Sequence, residues 1–132
     1  MQSSDRPIIE ALYKKKLLRK KKVLTYADFT GGSEADVEDM FDRDFYIYLV
    51  NEEYAAVLQN PLKLADLNAK QPRVVKAIEE VLKKAPLKSG QFGHFRPARL
   101  FSEKISELAP KIDAATKEKF SKAFEQLNAL LR

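Results

Sequence analysis

The sequence predicts an α+β fold dominated by helices, five or six of them, with one short strand over about residues 23–29. Three observations carry this. Apolar residues recur at helical spacing in several separate stretches. One stretch alone, VLTYADF from Val23 to Phe29, has the short β-branched and aromatic composition of a strand. Glycine, proline and asparagine break the chain between these stretches.

Taken in order, Asp5 and Pro7 open a helix in which Ile8, Ile9, Leu12, Tyr13 and Leu17 share a face. Its second half is crowded with lysine and arginine, which suits the partial negative charge of a helix C-terminus. The strand comes next and ends at Thr30-Gly31-Gly32. One strand cannot pair with itself, so its sheet must come from elsewhere in a longer polypeptide or from a second copy. Ser33 is placed to cap the following helix, with Asp36 as its capping-box partner and Val37, Met40 and Phe41 on the apolar side. Phe45, Tyr48, Leu49 and Tyr46 face inward on a second helical stretch, which Asn60-Pro61 ends. Leu62, Leu64 and Leu67 make a short apolar segment. Residues 73–84 form an amphipathic helix through Val74, Val75, Ile78, Val81 and Leu82, closed by Ala85-Pro86. Residues 86–97 are the main loop. A helix runs from about Ala98 to Leu108, and a last one from about Asp113 to Leu131, with Phe120, Phe124, Leu127 and Leu131 as its stripe.

Bulk properties narrow the function. A chain of 132 residues fits one domain and is 45% hydrophobic, which excludes a disordered segment. Without cysteine there are no disulfides and no thiolate metal sites, and a single histidine argues against a zinc site. No apolar run approaches the length of a membrane span, and the N-terminus lacks a signal core, so the expectation is a cytoplasmic protein with no membrane partner. The net charge of +5 is unevenly placed: +6 over residues 1–27, −8 over 28–53 and +7 over 54–132. An acidic block between basic ones suits a metal site beside a polyanion, although three solvated helix faces would look the same.

The candidate chemistry lies in three places. In the acidic run Thr30 to Phe41, Asp36 and Glu38 flank a turn from which both carboxylates can reach one hard cation. The plainer alternative is that these acids sit in a helix's first turn because its free N–H groups attract them. The loop carries Lys88, with Lys83 and Lys84 competing for the same role of a point charge beside a phosphate. Arg96 and Arg99 suit phosphate oxygens or ion pairs equally, and His94 is either a base or a loop anchor. Lys14 to Lys22 holds seven basic groups in nine positions, Lys20, Lys21 and Lys22 among them, enough for salt-dependent nucleic-acid affinity or for a solvated helix end. No GxxxxGK[ST] phosphate loop is present, so the chain has no recognisable ATP site.

The run VLTYADFTGGSEADVEDMFDRDFYIYLVN resembles the end of the TOPRIM domain in OLD-family (overcoming lysogenization defect) ATP-dependent endonucleases. The resemblance implies that residues 1–54 are the end of a TOPRIM-like region and 55–132 a helical C-terminal region, the strand belonging to a TOPRIM-type sheet. It implies Glu38 as a metal-binding glutamate, with Asp36 as a second oxygen ligand and Glu34 and Asp39 as weaker candidates. It implies Lys88 as the basic residue that stabilises charge on the phosphate. Mg²⁺ or Mn²⁺ would then be the metal and DNA the substrate, with two metals clamping the attacking and leaving oxygens. The family's earlier glutamate and aspartate pair are not identifiable here. The expectation is therefore a C-terminal fragment, inactive alone, that pairs with the remainder of a parent polypeptide holding the ATP site. The alternative is a non-catalytic helical module that binds nucleic acid or a protein through its basic N-terminal helix; a homodimer formed through the strand is a further possibility.

Overall fold

The computed structural model describes residues 24–130, and the expected helix over Asp5 to Lys22 lies outside them. Six α-helices appear among the described residues: α1 (Ala27–Thr30), α2 (Arg43–Tyr54), α3 (Val74–Lys84), α4 (Phe95–Glu103), α5 (Ile105–Leu108) and α6 (Ala114–Leu130). Short 3-10 turns fill Val37–Met40, Leu64–Asp66 and Ala109–Lys111. Helices dominate, as the periodicity predicts. Among the described residues no helix is long and apolar enough to cross a membrane.

The chain gathers into two compact units, one of residues up to Met40 and from Ala114 onward, the other of Phe41–Asp113. The boundary expected after residue 54 falls within the second.

In the first unit, the expected strand is not found among the described residues: Ala27–Thr30 is a helical turn. The local reason is visible. The Asp28 carboxylate accepts from the Thr25 N–H at 2.7 Å, which pulls the chain into a turn where β-branched and aromatic composition favours extension. Gly31, at φ +75°, then ends α1 in the left-handed conformation that glycine adopts without cost. The strand is thus unconfirmed, and with it the sheet it would join.

A Cβ at Gly31 would meet nothing within 4 Å, so substitution there costs backbone conformation alone. Gly31→Ala is expected to lose about 1 kcal/mol and Gly31→Asn less, read by urea unfolding. Equal stability of all three proteins would show that the left-handed turn is not held in solution.

The expected Ser33–Asp36 cap is displaced by three residues. Asp36 opens the 3-10 turn, its carbonyl accepting from the Asp39 N–H at 3.0 Å while its own N–H donates to Asp39 Oδ2 at 2.7 Å. Ala35, Met40 and Thr116 are buried here, and α1 and the 3-10 turn both pack on α6. The predicted stripe of α6 is only partly inward: Phe124 is 61% and Leu127 47% exposed.

The second unit holds the larger core. Asp42 caps α2 by accepting from the Asp44 N–H at 3.2 Å. The helix then buries Tyr46, Ile47, Leu49, Val50 and Tyr54 against Val74, Val75, Ala77 and Ile78 of α3, with Leu58, Leu62, Leu67 and Leu108 closing the cluster. Phe45 and Tyr48, expected inside, pack at its margin. Phe41, Phe45 and Phe101 form an aromatic trio with centroids 5.6–5.9 Å apart. Asn51 clamps the break at Asn60-Pro61, accepting from the Leu62 N–H at 2.8 Å and donating to its carbonyl at 2.9 Å. The helix expected from Ala98 begins at Phe95, because Pro97 is compatible with a first helical turn, and a break at Lys104 separates α4 from α5.

Candidate functional site

The acidic segment lies in the first unit. Asp36 is half-buried at the head of the 3-10 turn. Two residues on, Glu38 is only 6% exposed. Glu34 and Asp39 are also half-buried. The capping explanation for this run holds for specific residues: Asp39 caps the 3-10 turn and Asp42 caps α2. Among the described residues no group of three or more histidine, cysteine, aspartate or glutamate side chains is gathered to hold a metal. Two carboxylates nevertheless lie within what Mg²⁺ takes from protein, since it keeps several waters. Asp36 and Glu38 lie two residues apart in this run, the first half-buried and the second buried.

The basic loop lies in the second unit. Lys88 is exposed, and its N–H donates to the Val57 carbonyl at 2.8 Å, fixing the backbone while leaving the ammonium in solvent. Lys83 and Lys84 are exposed at the end of α3. The far side of the loop is anchored by two tyrosines of α2. The Tyr54 hydroxyl accepts from the Gly93 N–H at 2.8 Å and donates to the Gly93 carbonyl at 3.1 Å. The Tyr46 hydroxyl donates to the His94 carbonyl at 3.4 Å. His94 serves here through its backbone, and its side chain is exposed.

The two arginines separate. Arg96 donates from Nε to Glu53 at 2.9 Å, and its guanidinium lies 4.7 Å from the centre of the Tyr54 ring. It braces the loop onto α2, an ion pair of the kind weighed against a phosphate contact, though with Glu53 as the partner. Arg99 is well exposed, and its 3.7 Å pair with Glu103 is equally exposed and so worth little. It stays available to a polyanion. Lys20, Lys21 and Lys22 lie outside the described residues.

Comparison with protein-family models, curated proteins and solved structures returns no match. The site therefore stands on its own residues.

Sequence reasoning missed Tyr54 and Glu53. Their partners in the loop lie 39 and 43 residues away. The one available signal was the recurrence of Tyr46 and Tyr54 eight positions apart, near one helix face.

Proposed function

We propose that the chain is the C-terminal part of a metal-dependent DNA endonuclease of the OLD/TOPRIM type, inactive by itself. Asp36 and Glu38 would supply carboxylates to a Mg²⁺ or Mn²⁺ site completed from outside residues 24–130; Lys88, in the other unit, is by the resemblance the candidate for a point charge toward phosphate. Bound metal would supply Lewis-acid activation. ATP use would belong to another part of the parent.

The observation that supports this most is the burial of Glu38, two positions after Asp36 in the acidic run. A buried carboxylate needs hydrogen-bonding or charged partners, and a cation can be one of them. Support rests on these residues and their resemblance, not on a sheet.

Glu38→Gln in the complete protein tests the proposal. Loss of cleavage with DNA binding retained supports it, and unchanged cleavage contradicts it.

A second reading, a non-catalytic helical module that binds nucleic acid or a protein partner, is favoured by two observations. The described residues 24–29 carry no strand of a TOPRIM sheet, and basic residues are concentrated at positions 14–22. The nuclease reading and the nucleic-acid-binding form of the second share an affinity for nucleic acid.

A further inference from the structure

Phe95 is more exposed than any other large apolar side chain among the described residues, at 65%. Its ring is nevertheless held in place. A Cβ built on Gly93 would lie 3.1 Å from Phe95 Cε1, so one edge of the ring rests over the glycine α-carbon. Gly93 itself is fixed at both its N–H and its carbonyl by the Tyr54 hydroxyl. The result is an aromatic ring on a rigid base that still offers most of its surface to solvent.

The stretch of chain that carries it is rich in basic residues. Residues 83–104 carry six basic groups, Lys83, Lys84, Lys88, Arg96, Arg99 and Lys104, against one acid, Glu103. Arg96 is committed to Glu53. Arg99 lies one turn after Phe95 on the same face of α4. Ala98 and Ser102, which neighbour that face, are exposed and small or polar. Along α4 the exposed neighbours of Phe95 are Ala98, Arg99 and Ser102, which add a cation and no large apolar side chain to the ring.

We propose that Phe95 is a stacking platform for an unpaired base of a single-stranded nucleic acid whose backbone phosphate is met by Arg99. Each base has a π-face, and stacking on an aromatic ring inside a basic surface holds single strands with little sequence preference. A base within a duplex has both faces covered, so the ring selects unpaired segments. This rests only on the nucleic-acid affinity common to the nuclease reading and the nucleic-acid-binding form of the second, and needs no metal.

The protein has no tryptophan, so Phe95→Trp places a single fluorophore at the platform. Titration of the full chain with oligothymidylate is expected to quench that emission, and a duplex of equal length to quench it far less. In anisotropy with labelled oligothymidylate, Phe95→Ala is expected to weaken binding about tenfold or more. Arg99→Gln is expected to lower the salt slope by about 0.7. Unchanged tryptophan emission while anisotropy reports the strand bound would overturn the proposal, because binding would then lie elsewhere, as at residues 14–22. Failure to bind oligothymidylate would overturn it too. So would an emission change on raising protein concentration alone, which would mean that a second copy covers the ring. None of these outcomes depends on cleavage, so Glu38→Gln remains an independent test of the nuclease reading.

Discussion

Tyr54→Ala is expected to destabilise the Phe41–Asp113 unit by about 3–5 kcal/mol, the range for removing a buried aromatic side chain. Tyr54 is 1% exposed and packs against the Phe92 ring at 5.5 Å and under the Arg96 guanidinium. Its hydroxyl also satisfies both backbone groups of Gly93. Removing the side chain opens a cavity in the core, takes the aromatic face from Arg96, and deprives Gly93 of two hydrogen bonds. Tyr54→Phe separates these contributions: it keeps the ring and loses the hydroxyl, at an expected cost of about 1–3 kcal/mol. Urea unfolding gives both values, and hydrogen exchange at the Gly93 amide should accelerate in the phenylalanine variant. A phenylalanine variant as stable as the parent, with Gly93 equally protected, would mean that the loop is held by apolar packing alone.

Glu38→Gln is the substitution expected to change activity most. Glutamine keeps the volume and shape of a side chain buried to 6% exposure, so packing is preserved while the negative charge is lost. Changes to residues that merely orient a metal's ligands cost about 10- to 100-fold; losing a ligand should reduce cleavage by the complete protein at least about 100-fold. Asp39→Ala is the contrast. Asp39 caps the 3-10 turn, so its loss should appear as about 1 kcal/mol of stability, with cleavage largely retained. If Glu38→Gln lowers stability and leaves cleavage intact, its burial serves folding only, and the non-catalytic reading is preferred.

How far the sequence could be read follows from the range of the interactions involved. The helices at Val74–Lys84 and Ala114–Leu130 were legible because apolar spacing and punctuation are local. The strand read over 23–29 is not found among the described residues: composition argued for extension, whereas one carboxylate, Asp28 reaching the Thr25 N–H, and a left-handed Gly31 set the backbone of 27–30. Both cues were present in the sequence and were outweighed by β-propensity, which depends on a sheet being available. The acidic segment was legible as a cluster, but which acids cap and which are buried depends on the displaced turn. The loop was least legible. The partners of Arg96, Glu53 and Tyr54, lie more than forty residues earlier in the chain, and the start of α4 at Phe95 precedes the expected start at Ala98.

Whether Asp36 and Glu38 meet a cation can be read from manganese titration of the isotope-labelled chain, followed by paramagnetic broadening of its amide resonances. Weak binding is expected, with broadening centred on residues 34–39 and removed by Glu38→Gln. Broadening spread evenly over exposed carboxylates such as Asp42, Asp66 and Glu107, or unaltered by Glu38→Gln, would contradict a metal role for this pair.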